Sequence, residues 1–196
     1  MTNGTAPAAV QGRVQELLRS GDVSAAATEA LRGHGPEILR FLRSVLRDED
    51  DAADAFSHFA ENLWRGLSTF RGQSSLRTWA FRIAWNAART LRHDAWHRRG
   101  RRFATGEASR IAEEIRTKTA VRVERQRDEL EALRQGLTAE DQTLLALRLD
   151  REFSWEEIAE VLSAGGERVQ ALALMKRFER LKKRLAEMVR RQGQGE

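Results

Sequence analysis

Apolar residues recur at spacings of three and four along most of the chain, and no stretch alternates with the period of two expected of a half-buried strand. Val10 to Arg19 and Ser24 to Arg32 read as two short helices broken at Gly21-Asp22, with Ser24 as an N-cap. A longer helix opens at Pro36, a residue suited to the first helical turn, and Ile38, Leu39, Phe41, Leu42, Val45 and Leu46 form its stripe. The acidic run Asp48–Asp51 complements the dipole of the next helix, in which Ala52, Ala55, Phe56, Phe59, Ala60, Leu63 and Leu67 keep the same period. Phe70 to Ser74 is a loop, and Ser74 or Ser75 can cap the helix that follows. That helix places Leu76, Trp79, Ala80, Ile83, Ala84, Ala87 and Leu91 on one face. Its other face carries Arg77, Arg82, Trp85, Asn86 and Arg89.

Residues 97–127 change character: charge is mixed, large apolar side chains are few, and the segment reads as a linker, in part helical. A second domain begins near Asp128. Thr138 caps a helix bearing Leu144, Leu145, Leu147 and Leu149, and Ser154-Trp155-Glu156-Glu157 is a capping-box pattern that opens the next. A turn over Ser163–Gly166 leads into a helix from about Glu167 towards Arg191, which completes a helix-turn-helix outline. The predicted fold is all-α, an N-terminal helical bundle and a C-terminal helix-turn-helix domain joined by a charged linker. The divisions are an N-terminal extension over 1–35, a helical domain over 36–99, the linker over 100–127, the second domain over 128–191 and a tail over 192–196.

Charge sharpens this picture. The net charge is +5, and all but four of the cationic side chains are Arg, which grips phosphate bidentately and stacks on rings. A GC-rich genome also favours Arg over Lys, but it does not explain clustering. From Arg65 to Arg102 there are ten Arg and one acidic residue, Asp94, with Trp64, Trp79, Trp85 and Trp96 in or beside the span. Cations track a phosphate backbone and flat rings stack on unpaired bases, so the pattern points to DNA, and to opened DNA in particular. The absence of Cys excludes disulfides, thiolate metal sites and Cys nucleophiles. No apolar run approaches the roughly 20 residues that span a bilayer, and MTNGTAPAAVQGRV lacks the basic start and apolar core of a secretory signal, so a cytoplasmic protein without membrane insertion is expected.

Each candidate residue also has a structural reading. Trp79 falls on the apolar face and reads as core; Trp64 reads as core as well; Trp85 lies on the basic face and reads as a contact to DNA or a protein partner. Trp96 stays open. His93 and His97 are one turn apart, but no third ligand joins them, so no metal or other cofactor is expected. Asp48–Asp51 reads as a helix start. No nucleophile–base arrangement, phosphate-binding glycine loop or catalytic carboxylate pair is present, which argues against an enzyme and against a small-molecule substrate.

Three segments resemble the extracytoplasmic-function group of bacterial RNA polymerase sigma factors. Asp51-Ala-Ala-Asp54-Ala-Phe-Ser-His-Phe59 is similar to the helix these proteins dock on the polymerase. Phe70-Arg-Gly-Gln-Ser-Ser-Leu-Arg-Thr-Trp79 through Arg82-Ile-Ala-Trp-Asn86 resembles the segment that recognises and melts the −10 element. Leu137-Thr-Ala-Glu-Asp141 with Phe153-Ser-Trp-Glu-Glu-Ile-Ala-Glu-Val-Leu162 resembles the helix-turn-helix that reads the −35 element. The resemblance implies a non-catalytic subunit of the holoenzyme, nucleoid-associated when assembled, whose partners are core RNA polymerase, promoter DNA as duplex and as melted non-template strand, and an anti-sigma factor. It implies polymerase contacts at Asp51, Asp54, Phe59 and Leu63. It implies −10 contacts at Phe70, Arg71, Gln73, Ser74, Arg77, Arg82, Trp85, Asn86, Arg89, Arg92, Arg98 and Arg99, and −35 contacts at Glu167, Arg168, Gln170, Lys176 and Arg177.

Two departures stand out. Ser57-His58 occupies the place of a usual Gln-Glu. The presumed recognition helix has only Arg168 before Lys176, and Ala171 to Met175 is wholly apolar, which predicts weak or unusual −35 recognition. Two rival readings follow: a regulator that binds duplex DNA through its helix-turn-helix, and a sigma-like chain acting through protein contacts. Interleaved Arg and aromatic residues over 70–99 favour the sigma factor, because a duplex reader needs no stacking platform.

Overall fold

The computed structural model describes residues 7–93, 106–120, 136–163 and 168–192. Every regular element among them is helical, and the chain divides into two units, residues 1–121 and 122–196. None of these helices is long and apolar enough to cross a membrane.

The first unit holds α1 (Pro7–Arg19), α2 (Val23–Leu46), α3 (Glu49–Gly66), a short 3-10 turn (Leu67–Thr69), α4 (Leu76–His93) and α5 (Gly106–Ala120). α2 corrects the expected pair of helices over 24–32 and 36–46. One helix runs through both, with Pro36 inside it and its N-cap supplied by Asp22, whose Oδ1 accepts from the Ala25 N–H at 2.9 Å, and not by Ser24. An internal Pro removes one backbone hydrogen bond. The continuous apolar face from Ala26, Ala27, Ala30 and Leu31 to Ile38, Leu39, Phe41, Leu42 and Val45, all buried, outweighs that loss. α2 ends at Arg47 in the left-handed conformation (φ 60°), and Asp48 opens α3 by accepting from the Asp51 N–H at 2.8 Å.

Two glycines let α2 be approached closely. A Cβ on Gly33 would lie 2.6 Å from Val10 of α1, and one on Gly35 would lie 2.6 Å from Ile115 of α5. The segment expected to be linker therefore contains a helix that belongs to the first unit. α5 packs on α2 and α3 and buries Ala108, Ile111, Ala112 and Ile115, a stripe at the helical spacing of three and four. Phe41 of α2 meets Phe81 of α4 at 5.2 Å between ring centres, and Phe56 meets Phe59 at 5.6 Å within α3.

The second unit holds α6 (Ala139–Leu145), a wide π-type turn (Ala146–Asp150), α7 (Trp155–Leu162) and α8 (Ala171–Gln192). Thr138 caps α6 through the Asp141 N–H at 3.2 Å. The capping box at α7 is complete: Glu157 N–H donates to Ser154 Oγ at 3.2 Å, and Ser154 N–H donates to the Glu157 carboxylate at 2.9 Å. α7 and α8 close on Ile158, Val161, Leu174, Phe178 and Leu181, with Trp155 set edge-on to Phe178 at 5.3 Å and the Arg148 guanidinium over Trp155 at 4.7 Å.

Candidate nucleic-acid and polymerase interface

The residue pattern of α4 is apolar on more than half its circumference, and the packing decides its phase. Leu76, Ala80, Phe81, Ala84, Trp85, Ala87, Ala88 and Leu91 are buried. The inward face is thus turned from the expected one: Trp85 is 5% exposed and part of the core, whereas Trp79 and Ile83 are half-buried at its edge. Burial overturns the contact role expected of Trp85, and Trp79, expected in the core, is half-buried. The reason is steric, because Phe81 facing Phe41 fixes the rotation and carries Trp85, one turn on, inward with it. Trp64, expected in the core, is half-buried.

The outward strip that results is Trp79, Arg82, Asn86 and Arg89, spaced three, four and three apart. Asn86 and Arg92 are exposed, and Arg82 and Arg89 are half-buried. Trp79 packs against Phe70 at 5.1 Å, and a Cβ on Gly66 would lie 3.3 Å from the Trp79 ring, so the indole rests on bare backbone. The loop joins these two residues along the chain. Arg71, Gly72 and Gln73 are exposed, Ser74 is half-buried, and Gly72 adopts φ +68°, a conformation that costs other residues about 1–2 kcal/mol. Ser75 provides the cap anticipated for Ser74 or Ser75, its Oγ accepting from Thr78 N–H at 3.0 Å. A second free N–H at this helix start, that of Leu76, donates to Gln11 Oε1 of α1 at 3.2 Å. The loop is thereby held at its C-terminal side from two directions.

Arg77, expected on the strand-binding face, is committed elsewhere. Its guanidinium forms a two-pronged pair with Glu37 of α2, Nε to Oε2 at 3.1 Å, and lies over Phe81 at 5.5 Å. Beside this pair is His34, 2% exposed, whose Nε2 has no hydrogen-bond partner among the described residues. Burial lowers its pKa from 6.5 to about 4; the Glu37 carboxylate opposes that shift and the Arg77 guanidinium adds to it. Arg98 and Arg99 lie outside the described residues, as do Trp96 and His97.

On α3, Asp54 is exposed and Asp51 is half-buried, so both reach the surface expected to meet polymerase. Phe59 and Leu63 do not: each is 0% exposed, because they fall on the stripe with Phe56 and Ala60 that builds the core. Ser57 and His58, half-buried, are the side chains that border Asp54 one turn on.

In the second unit the basic C-terminal helix is less open than its composition implies. Arg177 and Arg184 both bind Asp141, through Oδ1 and Oδ2, each at 2.7 Å. Arg177, expected on the −35 element, is therefore a structural clamp between α6 and α8. Burial acts to raise the Asp141 pKa, but the hydrogen bond and charge of Arg177, with hydrogen bonds from Arg184 and Thr138, hold it below the ordinary carboxylate value. Arg168, Gln170 and Lys176 are exposed, and Glu167 lies outside the described residues. Gln11, Glu37 and Asp141 escaped sequence reasoning. Their partners lie 65, 40 and 36 or more residues away, so no local pattern could have marked them.

Residues 30–103 match the Sigma-70 region 2 family. The chain is also similar to the RNA polymerase sigma factor YlaC of Bacillus subtilis (strain 168), at 31% identity over 141 residues, which covers 67% of this chain and 76% of that protein.

Proposed function

Because this chain belongs to the extracytoplasmic-function group of RNA polymerase sigma factors, we propose that it directs the core enzyme to a set of promoters and helps to open their −10 region. The observation that carries this reading is the surface made by Phe70, the loop 71–74 and the Trp79–Arg82–Asn86–Arg89 strip. A ring pair beside an exposed, backbone-defined loop offers an unstacked base a platform, and the guanidiniums beyond it follow the same strand's phosphates. Unstacking a base costs a few kcal/mol, which new stacking and hydrogen bonds on this surface would offset. Trp79, backed by Phe70, takes the stacking role, and Trp85 belongs to the core. Asp51 and Asp54, with Ser57 and His58, face the polymerase. An anti-sigma factor is proposed on family membership alone.

The test is transcription in vitro from genomic fragments with core RNA polymerase, with and without the protein. New, discrete start sites in its presence are the expected result. Polymerase binding without any start would overturn promoter direction and leave a chain that acts by protein contact. Failure to bind polymerase would favour a duplex-binding regulator.

A further inference from the structure

α8 buries Leu174, Phe178 and Leu181 against the rest of its unit. With 100° between successive residues, the line pointing directly away from that core runs through Leu172, Lys176, Glu179 and Lys183. Leu172, in the first turn, is 59% exposed, and Met175 on its flank is 42% exposed. Ala173 beside them is exposed as well. The leading end of the second helix of a helix-turn-helix is therefore apolar at its tip. The surround is cationic: Arg168, Lys176, Arg180 and Lys183 are all exposed, while Arg177 and Arg184 are held by Asp141.

A polyanion is the partner that fits the surround, and the major groove has one apolar feature to fit the tip, the 5-methyl group of thymine. Leucine can neither donate nor accept a hydrogen bond. Pressed against a G·C pair it would desolvate N7, O6 or N4 with nothing in return, so it discriminates against G·C as well as in favour of thymine. We infer that Leu172, flanked by Met175, reads thymine methyl groups in the major groove upstream of the start site, with Arg168, Lys176 and Arg180 on the neighbouring phosphates. This rests on the reading of α8 as the helix that faces promoter DNA.

The test uses the full chain with core polymerase on duplex fragments carrying start sites mapped as above. Each dT around the −35 position is replaced in turn by dU, which removes the methyl group and nothing else. The expected result is a loss of about fourfold in promoter binding at one or two positions, the value of one buried methyl group. Leu172→Ala should lower binding by a similar factor, make the dT and dU fragments equivalent, and leave the melting temperature unchanged because the side chain is exposed. If no dU position matters, or mapped promoters lack thymine there, the inference fails. A −35 footprint and weakened binding by Lys176→Ala would then show that α8 still faces DNA. Loss of both the footprint and the Lys176→Ala effect would overturn the DNA-facing reading itself. A Leu172→Ala defect in binding to core polymerase without DNA would assign the tip to a protein partner and overturn the inference.

Discussion

Both units commit arginines of their expected DNA faces to acids distant in sequence, and they differ in what lies at the surface beyond those pairs. In the first, one guanidinium of the expected DNA face, Arg77, is withdrawn into a pair with Glu37, and the strip beyond it stays at the surface around a ring pair. In the second, eight basic residues stand against two acidic ones between Lys176 and Arg191. Yet Arg177 and Arg184 are bound by one carboxylate, Lys182 is paired with Glu179 at 2.7 Å, and the tip of the helix is apolar. Counting cations in a stretch overstates the charge available to a phosphate backbone. What matters is which of them a neighbouring carboxylate already holds.

The contrast can be broken hardest at the two tryptophans of α4. Trp85→Ala should destabilise the first unit by about 3–5 kcal/mol in urea denaturation, the usual cost of emptying a buried aromatic site. Trp79→Ala should leave most of that stability in place and instead lower open-complex formation about tenfold or more, as expected for losing a stacking platform. Equal stability losses from both would contradict the assignment of Trp79 to the surface.

Acidification should weaken the first unit next. His34 is held neutral in the fold, with its pKa depressed from 6.5 to about 4, so between those values the unfolded chain binds more protons and stability rises with pH. Its contribution is fully present above pH 6.5 and lost as pH falls towards 4, a change of roughly 3 kcal/mol. Denaturation midpoints across that range, flattened by His34→Leu, are the check. In the second unit, Asp141→Asn should cost about 2 kcal/mol, because two charge-assisted hydrogen bonds lose their ionised acceptor. It should also steepen the salt dependence of DNA binding as Arg177 and Arg184 are released. The smallest effect separates neighbours. Lys176→Ala should reduce the salt slope of promoter binding by about one, and Arg177→Ala should not reduce it.

What was legible in the sequence was local. The Ser154–Glu157 box and the Asp48 start of α3 are read within one turn, and their hydrogen bonds form as the spacing requires. The phase of α4 was not legible, since Leu76, Trp79, Phe81, Ile83 and Trp85 offer apolar side chains around most of the helix and only the partner surface chooses among them. Pro36 misled for a related reason: its local preference for a helix start is real, and the packing of α2 on both sides overrode it. The surface proposed to face DNA was half readable. Of the residues expected on DNA, Arg82, Asn86 and Arg89 lie along the outer side of α4, whereas Arg77 and, in the second unit, Arg177 bind acids that are distant in sequence.

The seat of α5 bears on where this protein can be divided. The region 2 match ends at residue 103, but the folding unit does not, because Ile115 fills the notch above Gly35 and touches the neighbourhood of Phe56. A fragment trimmed at the end of the region 2 match would lay that apolar notch open to water and to its own copies, and should be isolated as an aggregate. One carried on to residue 121 would take its lid with it, and is the shorter piece that should be purified as a monomer.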